Sequence, residues 1–296
     1  TGDESATAAH NGILAVLNGQ RPSFSLEYPC LTPTRQRWFM MVVMPLGSDA
    51  NDGVVITHND ISALKQAEHY EQFRSHVLER MAVGAPLPEL LDTLARGVEQ
   101  LCPHWLCKIE PLDEHGQRLG LGAAPSLPDF FNAALDTRPL DPALAAAAEA
   151  SAGVSVEDLA HHPDWTAYSA LAARAGLAAC WSQPIRSGAG QLLGRFALFQ
   201  RDLLAPTASD ISLVGQCLRL AVLAIERHLA EQKIRASIAL LQSLQEQMRE
   251  LAFHDTLTEL PNRRLLDDRL SQTMATSQRS GRFCALMFLD LDNFKP

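Results

Sequence analysis

The sequence predicts a multidomain α+β chain: antiparallel sheets with flanking helices, a long connecting helix, and then the opening of an α/β domain. Three observations predict it. Short runs rich in β-branched and aromatic residues are bounded by Gly, Pro, Asn and Asp clusters. Between them lie segments whose apolar residues recur at three- and four-residue steps. From Ile211 to Ala252 there is no Pro, and Gly215 is the one glycine. At 296 residues the chain has room for two or three domains of ordinary size. Hydrophobic residues make up 47% and charged residues 20%, which excludes a disordered or collagen-like chain. Twenty-five Lys and Arg against 34 Asp and Glu give a net charge of −9. A body this acidic is a poor partner for nucleic-acid phosphates, so none is expected. The best apolar run, Phe39 to Leu46, is strand-sized and well short of the roughly 18 residues of a membrane helix. A secretory leader is not expected either. The 6 cysteines, Cys30, Cys102, Cys107, Cys180, Cys217 and Cys284, form no CxxC pair and read as free thiols. A cytoplasmic protein is expected.

The first segment is built of strand signals. Phe24–Tyr28, Arg37–Met44 and Val54–Thr57 predict three antiparallel strands, preceded by one short helical piece over Asn11–Leu17. Such a core is thin for a domain standing alone, so its start is expected to be cut. Glu27-Tyr-Pro-Cys30, Arg37-Trp-Phe39, Pro45-Leu46 and Val54-Val-Ile-Thr-His-Asn-Asp-Ile61, followed by Lys65-Gln-Ala-Glu68, resemble the C-terminal half of a PAS sensor domain. The resemblance implies a closing strand, holding His58, that leads into an exit helix. Asp60 or Ser62 would accept the free amide protons at its start.

In the middle segment Leu87, Leu90, Leu91, Leu94, Val98 and Leu101 mark a helix closed by Pro103. Trp105–Leu112 then reads as a strand, Asp113–Gly116 as a hairpin turn and Arg118–Gly122 as the partner. A polar and Ala-rich stretch follows. Trp165–Arg174 reads as a helix, and Leu177–Ile185 and Leu192–Gln200 as strands joined by Ser187-Gly-Ala-Gly190. Gly122–Pro128, Val156–Leu159, Cys180–Ile185 and Leu193–Leu198, set in this order of elements, resemble a GAF domain. Members of this type usually line their ligand cavity with a Gly/Ser/Cys-containing loop, where this chain has Leu140–Glu149 with the run Ala145–Ala148. Alanines favour helix and offer no side-chain donor or acceptor. No tight cyclic-nucleotide site is therefore expected, and the ligand of the sensor is unknown.

A long helix is predicted from about Thr207. Ile234, Leu241 and Met248 share one heptad position and Leu244 and Leu251 the complementary one, a seam of about two heptads. It suits a two-stranded connecting helix between sensor and output, with a homodimer through about Ile225–Leu251. Packing on its own domain is the competing reading.

The final stretch carries the chemistry. Phe253-His-Asp-Thr-Leu-Thr-Glu-Leu-Pro-Asn-Arg-Arg264 precedes an amphipathic helix to about Met274, and Cys284–Lys295 reads as a strand. In an extended chain Asp290 and Asp292 share a face. Carboxylates at a buried strand end need a cation or hydrogen bonds, and oxygen ligands suit Mg²⁺ rather than zinc; an ordinary strand end entering a solvated turn is the plainer alternative. Thr258–Arg263 and Phe288–Lys295 resemble the opening of a GGDEF domain, the catalytic domain of diguanylate cyclases. The resemblance implies that Asp290 holds the metal through its carboxylate and Leu291 through its carbonyl. Asn293 and Phe294 would offer backbone amides to the GTP phosphates, and Lys295 would neutralise them. It also implies two facing domains that join two GTP molecules into cyclic di-GMP. Glu259 stands where Gly is usual, which is a strain if the position needs positive φ.

Other motifs rate lower. Cys102, His104 and Cys107 have ligand-like spacing, but strand alternation separates their side chains. His161 and His162 fit a polar loop as well as a haem site, and Trp165 and Trp181 fit a core.

These readings divide the chain into the end of a PAS domain (1–66), a linker helix (67–83), a GAF domain (84–228), a connecting helix (229–252) and the start of a GGDEF domain (253–296). The function expected is the sensory part of a signalling protein that controls cyclic di-GMP synthesis. The chain alone is expected to be inactive, because the GGDEF loop of the family is missing. The alternatives are a non-catalytic nucleotide-binding or dimerisation module, and a GGDEF protein with a downstream cyclic di-GMP phosphodiesterase.

Overall fold

The computed structural model describes residues 2–31, 36–47, 53–113, 115–135, 153–203 and 205–289. The chain divides into two units, 1–228 and 229–296. In the first, α1 (Gly2–Leu17) is followed by β1 (Phe24–Leu31), β2 (Gln36–Pro45) and β3 (Val54–Asp60). The strands form one antiparallel sheet in the order β1-β2-β3, with Tyr28 opposite Phe39 and Met41 opposite His58. Val16 of α1 packs on Met41 and Val43 of β2, with Ile13, Phe24 and Leu26 around them. α1 begins well before the predicted Asn11, because Ala6, Ala8 and Ala9 are strong helix formers even where the segment carries no apolar stripe.

The next helix, α2 (Ser62–Ala82), is entered through Ile61, which makes no side-chain cap. Asp60 accepts the Ser62 amide at 2.9 Å, as expected of one of the two candidates. The Ser62 hydroxyl instead accepts the Trp38 amide of β2, so it ties the helix start to the sheet. α3 (Leu87–Leu101) packs on α2 so closely that a Cβ at Gly97 would lie 2.0 Å from the Phe73 ring.

The second sheet has four antiparallel strands in the order β4-β7-β6-β5: β4 (Leu106–Pro111), β5 (Val154–Val156), β6 (Ala179–Arg186) and β7 (Leu192–Gln200). β5 was not foreseen; three residues are too short to show alternation. Nor was α4 (Asp129–Leu135), whose seven residues bury Phe131, Asn132 and Leu135. The predicted partner strand Arg118–Gly122 is reduced to isolated bridges, Leu112 to Leu119 and Ile109 to Ala123. Pro111 has no amide to donate, and Gly120 and Gly122 weaken a strand. The predicted helix Trp165–Arg174 is a single tight turn, Pro163–Trp165, followed by α5 (Ser169–Ala175). Between them Thr166 and Ser169 donate their hydroxyls to the carbonyls of Pro163 and Thr166. Such local bonds compete with a helix.

Alternation gives the second sheet two faces. Cys107, Ile109, Phe196 and Leu198, all fully buried, point to one. Leu106, Ala197, Phe199 and Cys180 point to the other, where they pack with Leu127, Phe131, Leu135, Leu159, Trp165 and Ala172. Trp181 is also buried, so both Trp165 and Trp181 are core residues. The unit closes with the first half of α6 (Ala208–Phe253), which buries Leu213, Val214, Cys217, Leu220, Ala221, Ala224 and Ile225. This helix is long enough, and over 18 residues apolar enough, to meet the criteria for a membrane span. That departs from the reading of the sequence as lacking such a stretch. Much of its apolar side is nevertheless spent on the domain core.

In the second unit α6 continues to Phe253 and α7 spans Arg263–Ser280, beyond the predicted Met274, ending at Gly281 with φ 67°. Residues 282–289 form no strand. A strand is held by its neighbours, and among the described residues 282–289 have none; Phe283, Met287, Phe288 and Leu289 are exposed.

Candidate functional site

Asp290, Leu291, Asn293, Phe294 and Lys295, and likewise the run Ala145–Ala148, lie outside the described residues. The approach to the first group is well defined. After α6 the chain makes a compact turn in which Asp255 Oδ1 accepts the amides of Leu257 (3.2 Å) and Thr258 (3.0 Å) and the Thr258 hydroxyl (2.9 Å). The Thr258 amide and hydroxyl, with the Leu257 amide, hold the Asp255 carboxyl below its usual range. Asn262 Oδ1 caps α7 by accepting the Leu265 amide at 3.1 Å. Its Nδ2 donates to the Ala252 carbonyl at 2.9 Å, so one side chain ties the end of α6 to the start of α7. Glu259 has φ 59°, the one non-glycine with positive φ among the described residues. The strain anticipated at that position is present.

The connecting half of α6 exposes the predicted seam. Leu241 is 65% and Met248 70% exposed, with Ile234, Leu244 and Leu251 also open.

The start of α6 is fixed by Thr207 and Asp210. The Asp210 amide bonds to the Thr207 hydroxyl at 3.2 Å, while Asp210 Oδ2 accepts the Thr207 amide at 3.0 Å and its hydroxyl at 2.8 Å. This is a reciprocal cap of the capping-box kind. His104 Nε2 lies 3.5 Å from the same oxygen. Burial alone would raise the Asp210 pKa, but His104 and Thr207 outweigh it and hold the carboxyl well below the usual range. Cys102 Sγ lies 3.7 Å from Asp210 Oδ1. Burial pushes the Cys107 thiol up, and that of Cys217 to about 12, so neither is a ready thiolate ligand. Among the described residues no group of three His, Cys, Asp or Glu is placed to hold a metal ion. His161 pairs with Asp158 at 2.7 Å.

The sequence reading missed a buried ionic cluster in the second sheet. Lys108 and Glu110 of β4 and Arg195 of β7 are all at most 5% exposed. Arg195 Nε donates to Glu110 Oε2 at 2.6 Å, and Lys108 Nζ lies 3.2 Å from Glu110 Oε1. The signal was present: charged residues two apart in an otherwise apolar strand.

With this geometry in place, residues 84–226 match the family model of the GAF domain, and residues 252–296 that of the diguanylate cyclase GGDEF domain. The matches support a GAF–GGDEF sensor protein. The GAF match takes in the second sheet with α3, α4, α5 and the first part of α6. The chain is 32% identical over 181 residues, 60% of its length, to the methyl sulfide methyltransferase-associated sensor of Methanosarcina acetivorans. It is 56% identical over 46 residues, 16% of its length, to the bifunctional diguanylate cyclase/cyclic di-GMP phosphodiesterase MucR of Pseudomonas aeruginosa. It spans 18% of the first of these proteins and 7% of the second. Among solved structures, the GAF domain of an Acinetobacter phosphoenolpyruvate-protein phosphotransferase overlaps 57% of this chain and 98% of its own, at 14% identity and a TM-score of 0.44. The two family matches and the likeness to MucR support a link to cyclic di-GMP signalling.

Proposed function

We propose that the chain is the sensory and connecting part of a cytoplasmic PAS–GAF–GGDEF diguanylate cyclase, with the first sheet as the end of the PAS domain. The observation that carries the reading is the GGDEF match over residues 252–296, joined by one helix to a GAF match over 84–226. The exposed seam Ile234, Leu241, Leu244, Met248 and Leu251 on the helix between them supports a homodimer. Synthesis of cyclic di-GMP from two GTP needs two domains to meet, and a paired helix brings them together.

In this reading the Asp290 carboxylate and Leu291 carbonyl are hard oxygen donors of the kind Mg²⁺ takes. Bound Mg²⁺ would stabilise charge developing on the phosphates and position the attacking 3′-hydroxyl. The backbone amides of Asn293 and Phe294 orient the GTP phosphates, and Lys295 offsets their charge. The likeness to the bifunctional MucR favours, as a second reading, a protein that also degrades cyclic di-GMP. In the full-length protein Asp290→Ala should abolish synthesis of cyclic di-GMP from GTP and leave the dimer intact by light scattering. Full activity in that variant would remove Asp290 from the metal site.

A further inference from the structure

The ionic cluster of the GAF domain sits on a particular face of its sheet. Lys108 pairs across β4 and β7 with Ala197, and Ala197 pairs across β7 and β6 with Ser182. Alternation therefore puts Lys108, Ala197 and Ser182 in one row on the face that packs against Phe131, Leu159 and Trp165. Glu110 and Arg195 form the adjoining pair two residues along the same face. The middle residue of the row is alanine, so the two polar side chains flank a shallow place in the sheet.

Three buried atoms on this side of the domain have no hydrogen-bond partner among the described residues: Lys108 Nζ, Ser182 Oγ and Asn132 Oδ1. Lys108 is 0% exposed, and its 3.2 Å approach to Glu110 is an ion pair without hydrogen-bond geometry. The carboxylate is already engaged by Arg195 through both Nε and Nη2. Among the described residues two buried cations thus share one anion, leaving one positive charge without a counter-ion there. Burying such a charge is costly. Water can satisfy the orphaned hydrogen-bonding atoms, but it cannot supply the missing charge. A monoanion supplies the charge and accepts from Lys108 Nζ and the Ser182 hydroxyl, while Asn132 Oδ1, itself an acceptor, is left to a water.

We propose that the GAF interior binds a small monocarboxylate, its charge placed against Lys108 and its oxygens accepting from Lys108 Nζ and the Ser182 hydroxyl. The aromatic wall of Trp165, Phe131 and Phe199 favours a compact apolar body. Carboxylate binding at Lys108 does not depend on cyclase activity, so its failure would leave the function proposed above untouched.

The test is thermal melting of the whole chain with 10 mM-scale acetate, isobutyrate or benzoate, each beside its neutral amide. At least one carboxylate should raise the melting temperature by about 3–5 °C, since a ligand that binds only the folded state stabilises it by mass action. The matching amide should do nothing. Lys108→Met should abolish the rise, and Ser182→Ala should weaken half-saturation roughly tenfold, the loss of one charge-assisted hydrogen bond. The proposal is overturned if no carboxylate raises the melting temperature. It is overturned equally if the amide works as well, or if Lys108→Met keeps the rise. Should Lys108→Met fail to fold, an unchanged half-saturation in Ser182→Ala overturns it. Cyclic AMP and cyclic GMP belong in the same panel, and stabilisation by either in place of the carboxylates counts against the assignment.

Discussion

The two halves of α6 are made of similar residues and meet different fates. Before His228 the helix buries Leu213, Val214, Cys217, Leu220, Ala221, Ala224 and Ile225 at steps of one, three and four, which is one wide stripe on a helix. After it, Ile234, Leu241, Leu244, Met248 and Leu251 recur just as regularly and stay open. Periodicity alone marks both as apolar faces. What separates them is the supply of a surface to cover them: the first half is buried within its own unit, where Ser209 and Arg227 bond to Gln66 and Met81 of α2, and nothing among the described residues of the second unit covers the other. An apolar stripe is a requirement for a partner, and the fold decides whether that partner is internal.

The comparison breaks most sharply under matched truncations. Leu220→Ala should destabilise the GAF domain by about 2–5 kcal/mol, the range for a Leu removed from a packed core. Leu241→Ala should shift the melting of the dilute chain by less than about 0.5 kcal/mol. Replacing Leu241 and Met248 together with Glu should convert a dimer to a monomer in light scattering while leaving the melting of the GAF domain unchanged. A wild-type chain that stays monomeric at high concentration would refute the dimer seam, and the difference between the halves would then be burial alone.

A smaller effect is expected at the point where α6 is anchored. Asp210→Asn keeps an acceptor for Thr207 but removes the charge facing it and His104, and should cost about 1–2 kcal/mol near neutral pH. Because the folded-state pKa of Asp210 is depressed, its contribution is complete above the ordinary carboxylate value of about 3.9. It drains away as pH falls from there through the depressed value. Wild type and Asp210→Asn should therefore differ in melting temperature at pH 6 and converge as pH drops below about 3.9. A gap that stays constant down to pH 2 would show that the carboxylate charge is not what anchors the helix.

How much of this was legible in the sequence depended on length and context. The three strands of the first sheet, α3, β6, β7 and α6 were readable because each carries a full period of apolar residues between clear breakers. β5 and α4 escaped because three and seven residues hold too little pattern. The Thr166–Ser169 stretch misled because helix-compatible residues there spend their hydroxyls on local carbonyls. The GGDEF opening was recognisable as a motif, while Lys108, Glu110 and Arg195 were not. Their meaning lies in which strands stand side by side, and β4 and β7 are separated by most of the domain.

The smallest predicted effect lies in the turn between α6 and α7. There Glu259 donates its amide to the Asp255 carbonyl at 2.9 Å, and Asp255 donates its own to the Leu260 carbonyl at 2.8 Å. The turn closes only with residue 259 at φ 59°, where a Cβ costs about 1–2 kcal/mol. Glu259→Gly removes that cost but frees the unfolded chain, which returns about 0.4–1 kcal/mol. The net gain should be roughly 0.5–1 kcal/mol, read as slower hydrogen exchange at the amides of residues 255 and 259. Glu259→Ala separates strain from charge, since it removes the carboxylate but keeps the Cβ. It should leave exchange at residue 255 as in wild type. If Ala slowed exchange as much as Gly did, the relief would come from removing repulsion with Asp255, and backbone strain would not be the reason that glycine suits this position.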